Sequence, residues 1–175
     1  RKSFQILAAA ARAMDGGLEV VIRGRPTPAV FPDLAAEVAA APGVRFEGAY
    51  RNPEDLAAIY GEVDFAWAID FYEVGLNSDW LLPNRLYEAP AFGAVPIATA
   101  GTETARRLCA LDTGVILPAP LEQSFESWAR ALSPDALQGL RARLDAVPRQ
   151  TWICTADDCR ALVEGLAERE TRRAA

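Results

Sequence analysis

The sequence contains no histidine, only three cysteines among its 175 residues, and no excess of positive charge. Without histidine, the chain itself supplies neither a Ser-His or Cys-His nucleophile pair nor the commonest ligand of transition metals. Any catalysis would have to use carboxylates, a bound cofactor or electrostatic stabilisation, and we expect no metal site. The net charge of −6 gives no general attraction to nucleic acid or to anionic membranes.

The cysteines and the hydrophobic runs indicate the cellular compartment. Cys109, Cys154 and Cys159 are odd in number and form no C-x-x-C pair, so we interpret them as structural thiols in a reducing cytosol rather than as a disulfide framework. No apolar run reaches the ~18–20 residues of a membrane-spanning helix, and no signal peptide opens the chain. The predicted location is the cytoplasm.

Helix-like and strand-like patterns alternate along the chain. Residues 2–14 form an Ala-rich amphipathic pattern that ends at a Gly-Gly pair. Short apolar strands are predicted at residues 18–22, 44–48, 63–69, 95–99 and 113–117. Helices are predicted between them at residues 31–41, 53–60, 84–92 and 102–111, and three more follow residue 120. Asn52 is the predicted N-cap of the helix that begins at Pro53.

This order of elements predicts an α/β fold, in which a Rossmann-like parallel sheet lies between two layers of helices. We assign residues 1–120 to this core and residues 121–175 to a C-terminal helical segment of the same domain. Right-handed crossovers bring the strand-to-helix loops to one edge of the sheet, where folds of this kind bind ligands.

The loop after the third predicted strand, residues 70–83, is unusually long, and loops of this length are often functional. It leads into a helix with Arg85 in its first turn and Glu88 three residues later. A helix N-terminus beside an arginine can bind phosphate, and a carboxylate on the same face can accept hydrogen bonds from a ribose diol. The same spacing also fits a solvated ion pair between Arg85 and Glu88.

Several segments carry a family resemblance through their shared order. Residues 15–24 read D-G-G-L-E-V-V-I-R-G, residues 44–48 read V-R-F-E-G, and residues 88–99 read E-A-P-A-F-G-A-V-P-I-A-T. Residues 101–104 read G-T-E-T, followed by T-G-V at residues 113–115. Together, from Lys2 to Leu117, they resemble the C-terminal half of family-4-like glycosyltransferases with the GT-B fold.

The resemblance implies that the chain binds the donor for a transferase that moves a sugar from a nucleotide-diphosphate sugar to a saccharide or glycoconjugate. It implies a bacterial enzyme of polysaccharide biosynthesis, such as exopolysaccharide biosynthesis, that retains the sugar's configuration and needs no metal or other cofactor. The acceptor would bind an N-terminal half outside this chain, which would also make any contact with the inner face of the membrane. We expect the chain alone to bind the donor without turning it over.

The resemblance also implies site residues. Glu88 matches the glutamate that binds the ribose hydroxyls, and Arg85 matches a cation that binds phosphate, so both are assigned to catalysis as positioning and charge-stabilising groups. Lys2 matches a second phosphate-binding cation. The other predicted donor-binding residues are Tyr50, Arg51 and Asn84.

One departure from the family pattern concerns Trp80, which stands eight residues before Glu88, where that family has another glutamate. We expect Trp80 to pack beneath the long loop, and stacking on a sugar or base is the open alternative. Two alternative functions stay open: a non-catalytic α/β binding or scaffold domain with a degenerate donor site, and a GT-B-like sugar-nucleotide epimerase. The epimerases use histidine, which this chain lacks, and nucleotide-sugar binding would separate a donor domain from a scaffold.

Overall fold

A computed structural model describes the backbone of residues 1–174 and the side chains of residues 1–166. Its five strands are parallel to their hydrogen-bonded neighbours, which confirms the predicted α/β class. The hydrogen bonds divide them into a pair and a triplet rather than one continuous ladder. The pair is β1 (Val20–Ile22) with β2 (Val44–Phe46), and the triplet has the order β3 (Phe65–Trp67), β4 (Val95–Thr99), β5 (Val115–Leu117).

The helices lie where the hydrophobic pattern predicts them, with ends that differ by a few residues. One short helix, α4, falls within the predicted long loop of residues 70–83. Within the described residues, no helix combines the length and the apolar character that a membrane crossing requires. The helices are α1 (Lys2–Ala13), α2 (Leu34–Ala39), α3 (Leu56–Gly61), α4 (Asn77–Trp80), α5 (Arg85–Ala91), α6 (Glu103–Ala110), α7 (Leu121–Ala131), α8 (Pro134–Ala146) and α9 (Ala156–Ala174).

The start of α3 differs from the prediction. The helix begins at Leu56, and Asn52 does not cap it, because the Asn52 amide instead donates a 3.0 Å hydrogen bond to Glu88 on α5. Asp55, the residue before the helix, accepts hydrogen bonds from the Arg51 side chain and backbone N–H at 2.9 and 2.8 Å. The predicted N-cap was therefore wrong, since the turn from residue 51 to residue 55 is held by an ion pair.

The main core lies on the face of the triplet that α1, α7 and α8 cover. Ile6 of α1, Ile97 of β4, Phe125 of α7 and Leu144 of α8 are all buried in one cluster with Trp152. Side chains from before and after residue 120 thus share one apolar interior.

Aromatic rings fill this core. The Phe125 ring meets the Trp67 indole edge to face at 5.2 Å, and Phe65 meets Trp128 in the same way at 5.0 Å. Trp67 also donates from its indole N–H to the Ser3 hydroxyl at 3.1 Å, which ties β3 to α1. Trp152 is buried in this core, and Trp67 and Trp128 pack against it.

The opposite face of the triplet carries small residues under α3, α5 and α6. Ala66 of β3 and Ala98 of β4 face these helices, because neighbouring side chains of a strand point to opposite faces. Leu86 and Ala89 of α5 are completely buried there. Their burial fixes the rotation of α5, so that Arg85 is exposed and Glu88 is half-buried at the rim.

Two glycines with positive φ make a matched test of this packing. A Cβ atom at Gly114 (φ +78°) would lie 2.8 Å from Leu108 Cδ1 and 3.1 Å from the Pro96 carbonyl oxygen, whereas a Cβ at Gly93 (φ +86°) would meet nothing within 4 Å. We expect Gly114→Ala to lower the free energy of unfolding by about 2–4 kcal/mol, since backbone strain adds to overpacking against a buried leucine. Gly93→Ala should cost about 1–2 kcal/mol from strain alone. Urea denaturation measures both, and equal losses would contradict the packing argument.

Candidate functional site

The Glu88 carboxylate is held by two neutral donors from a different part of the chain. Its Oε1 accepts from Asn52 Nδ2 and its Oε2 accepts from the Tyr60 hydroxyl, both at 3.0 Å. Asn52 follows β2, Tyr60 lies on α3, and Glu88 lies on α5 after β3. Asn52 and Glu88 therefore lie where the connections after β2 and β3 lead into their helices, the side on which folds of this kind bind ligands, and Tyr60 reaches Glu88 from the last turn of α3.

Tyr60 is a permanent donor in this arrangement. Burial raises the pKa of Tyr60 well above its ordinary value, and the hydrogen bond to Glu88 raises the pKa further. The hydroxyl thus keeps its proton at neutral pH. The positive charge of Arg85 acts in the opposite direction and lowers the pKa of Tyr60.

Arg85 is exposed and makes no ion pair with the described side chains. The surface ion pair with Glu88 that the spacing left open is not formed. The N–H groups of Leu86, Tyr87 and Glu88 donate to the carbonyl oxygens of Pro83 and Asn84 at 2.9 Å. A phosphate at this position would therefore meet the Arg85 guanidinium rather than a row of free amides.

The first residues of the chain lie beside the long loop after β3. Lys2 is exposed, and its Nζ lies 4.8 Å from the centre of the Phe71 ring. Arg1 is engaged elsewhere, because it donates to the Val30 carbonyl at 2.6 Å and to Glu37 at 3.0 Å. Of these two neighbouring cations, Lys2 is the one directed at the loop.

The remaining predicted donor-binding residues are exposed. Tyr50 has 40% of its surface in solvent, which leaves its ring accessible for stacking. Arg51 is paired with Asp55, and their hydrogen bond raises the pKa of Arg51 and lowers that of Asp55. The Asn84 side chain is exposed at the start of α5.

The long loop is organised around a buried hydroxyl. The Ser78 hydroxyl donates to the Asp70 carboxylate and accepts from the Glu73 backbone N–H at 2.8 Å. Ser78 takes the interior position of α4, and Trp80 is consequently 72% exposed. The expectation that Trp80 packs under the loop was wrong. Its indole borders an open groove of about 510 Å³ that runs to Thr102 and α6.

The cysteines also differ from the prediction. Cys109, Cys154 and Cys159 are all exposed, so they contribute nothing to the core, and their interpretation as structural thiols was wrong. Within the described part of the chain, no group of three histidine, cysteine, aspartate or glutamate side chains could hold a metal ion.

Asn52 and Tyr60 belong to the site but were not predicted from the sequence as site residues. Asn52 carried the signal of a helix cap, and Tyr60 carried that of an apolar helix position. Their bonds to Glu88 span 36 and 28 residues, a separation at which no local pattern reports contact.

The chain is similar to proteins that are named for polysaccharide or lipopolysaccharide biosynthesis. No family model matches it. It is 47% identical over 167 residues to the succinoglycan biosynthesis protein ExoL of Rhizobium meliloti (strain 1021), a match that covers 95% of this chain and 41% of ExoL. The chain thus spans about two fifths of the length of that relative.

Among solved structures, the fold is similar to that of WaaG, a glycosyltransferase involved in lipopolysaccharide biosynthesis, with a TM-score of 0.56 and 19% identity. The similarity covers 86% of this chain and 40% of WaaG. The chain is therefore a homologue of part of a succinoglycan biosynthesis protein, and it has the fold of part of a GT-B glycosyltransferase, as its motifs predict.

Proposed function

We propose that this chain is the donor-binding domain of a glycosyltransferase that moves a sugar from a nucleotide-diphosphate sugar to a saccharide or glycoconjugate in exopolysaccharide biosynthesis. The observation that best supports this proposal is the arrangement of the Glu88 carboxylate. It is fixed by hydrogen bonds from Asn52 and Tyr60, and Arg85, three residues earlier, has no ion-pair partner among the described side chains. The relative ExoL is named for succinoglycan biosynthesis, and the structural neighbour WaaG for glycosyl transfer in lipopolysaccharide biosynthesis. The acceptor site is assigned to the remainder of a longer protein.

In this proposal Glu88 binds the ribose of the nucleotide. A carboxylate offers about four lone-pair positions, of which Asn52 and Tyr60 take two. The remaining two can accept from the neighbouring 2′ and 3′ hydroxyls. Asn52 and Tyr60 are then positioning residues, since they hold the carboxylate without touching the ligand.

Arg85 and Lys2 bind the diphosphate. A guanidinium can donate two parallel hydrogen bonds to phosphate oxygens, and Lys2, whose Nζ lies beside Phe71 of the loop, adds a second positive charge. Negative charge grows on the diphosphate as the bond to the sugar breaks, so cations fixed at that point lower the barrier. With these side chains in place, the proposed reaction needs no metal ion. Tyr50, Arg51 and Asn84 complete the site, with Tyr50 stacking on the base.

The chain's lack of histidine fits a retaining transfer. In such a reaction the donor's own phosphate oxygen can accept the proton of the acceptor hydroxyl, and the protein orients the reactants and stabilises charge. We place the protein in the cytoplasm, where an exposed thiol with no second thiol beside it, such as Cys109, stays reduced. Any contact with the membrane is assigned to the rest of the longer protein.

Donor binding by the chain is the first test. We expect UDP-, GDP- or ADP-sugars to raise the melting temperature in a saturable way, with one base preferred, because bound ligand stabilises the folded state by mass action. A thermal-shift titration with each donor measures this. If no donor raises the melting temperature at millimolar concentration, the scaffold alternative replaces the donor-binding proposal.

Arg85→Ala tests the diphosphate contact. We expect the dissociation constant for the preferred nucleotide sugar to rise about 10- to 100-fold, as for other hydrogen bonds to charged groups, while the affinity for the nucleoside alone is unchanged. The melting temperature should not change, because Arg85 is exposed. The matched control is Arg143→Ala on α8, which also removes an exposed arginine. Equal losses for the two variants in calorimetric titrations would refute the assignment.

Glu88→Gln tests the ribose contact. We expect the variant to bind the preferred donor about tenfold or more weakly, since a neutral amide is a poorer acceptor than a carboxylate. A 2′,3′-dideoxy donor should bind the wild type and the variant equally. Tyr60→Phe should lower stability by about 1 kcal/mol and weaken the donor less than Glu88→Gln does. A loss on Glu88→Gln that is the same for both ligands would show that Glu88 only supports the fold.

A further inference from the structure

Two thiols lie in contact at the start of the last helix. Cys154 Sγ and Cys159 Sγ are 3.6 Å apart, and both side chains are exposed. Sulfurs at this distance need to approach by about 1.5 Å to reach the length of a disulfide bond. Neither cysteine has a role in the proposed donor site.

The turn between the two cysteines is held in place by its own hydrogen bonds. The Thr155 hydroxyl donates to the Asp158 carboxylate at 2.6 Å, and the Asp158 backbone N–H donates to Thr155 Oγ1 at 3.2 Å. The Thr155 backbone N–H donates to the same carboxylate at 2.8 Å. This reciprocal cap brings Cys159, in the first turn of α9, back over Cys154.

The pair also joins two segments with different degrees of burial. Trp152, two residues before Cys154, is 93% buried in the main core, since only 7% of its surface is exposed. In contrast, every described side chain of α9, from residue 156 to residue 166, is exposed. The start of α9 is therefore held to the rest of the protein through the short segment that carries Cys154.

We propose that Cys154 and Cys159 form a reversible disulfide by exchange with a small-molecule disulfide such as oxidised glutathione, and that this bond tethers the first turn of α9 to the core. The inference is independent of the proposed glycosyltransferase function. It makes the pair a modification site, whereas the third thiol, Cys109 on α6, has no neighbouring sulfur among the described residues.

The exchange takes two steps. The Cys159 thiolate attacks one sulfur of the small disulfide, forms a mixed disulfide and releases one thiolate. The Cys154 thiolate then attacks the Cys159 sulfur, forms the protein disulfide and releases the second thiolate. The two cysteines lose two protons and two electrons, and the small disulfide gains them as two thiols. In the reduced pair the hydrogen bond to Cys159 raises the pKa of Cys154, which makes Cys154 the less ready thiolate for the first attack.

The chemistry is tested on the purified, reduced chain. After incubation with oxidised glutathione, we expect peptide mass spectrometry to find Cys154 joined to Cys159 with the loss of two hydrogen atoms and no bound glutathione. Cys109 should keep a glutathione adduct, because no second thiol resolves it. In Cys154→Ser, Cys159 should keep such an adduct as well. Stable adducts on both cysteines of the pair, a disulfide between two chains, or unreacted thiols would overturn the proposal.

The tether is tested by amide hydrogen exchange. We expect amides of residues 156–163 to exchange several-fold more slowly in the oxidised chain than in the reduced chain, because the new bond restricts local opening. Cys159→Ser, treated with the same oxidant, should exchange at the rate of the reduced chain. Equal rates in the oxidised and reduced wild type would show that the disulfide does not fix α9.

Discussion

The double-sided burial of β4 is the constraint on which the rest of the structure depends. Ile97 points into the aromatic core under α7 and α8, while Ala98 leaves room for α5 and α6 on the other face. The large Ile97 side chain thus packs against the helix layer on one face of the sheet, and the small Ala98 side chain lets the other helix layer approach closely. Leu86 and Ala89 are completely buried against this small-residue face. Their burial fixes the rotation of α5, and the position of Glu88 at the sheet edge is a consequence of that packing.

Much of the fold could be predicted from the sequence, because apolar periodicity reports burial on one or two faces of a local element. Helix α5 and strand β4 follow from such patterns, and so does the placement of Arg85 and Glu88 on one turn. The bonds that Asn52 and Tyr60 make to Glu88 could not be predicted, because they depend on how two helices pack side by side. Sequence patterns indicate the local structure that a residue favours, but they do not show which distant side chain it will bind in the folded protein.

The loop after β3 illustrates the same limit. Hydrophobicity favours burying Trp80 over Ser78, yet the interior position there must satisfy the Asp70 carboxylate and the Glu73 amide. Only a hydroxyl can serve both as donor and as acceptor in so small a space. The polar requirement outweighs the apolar one, and the large indole is left in solvent beside the groove.

The choice of neutral partners for Glu88 has a consequence for ligand recognition. Had Arg85 been paired with Glu88, an incoming anion would first have had to break that ion pair, and part of its binding energy would have been lost. Asn52 and Tyr60 fix the carboxylate without cancelling its charge, and the arginine next to it keeps its own. In the proposed donor site the opposite charges are thus kept apart before a ligand arrives, which would favour a single orientation for a ligand with hydroxyls at one end and an anion at the other.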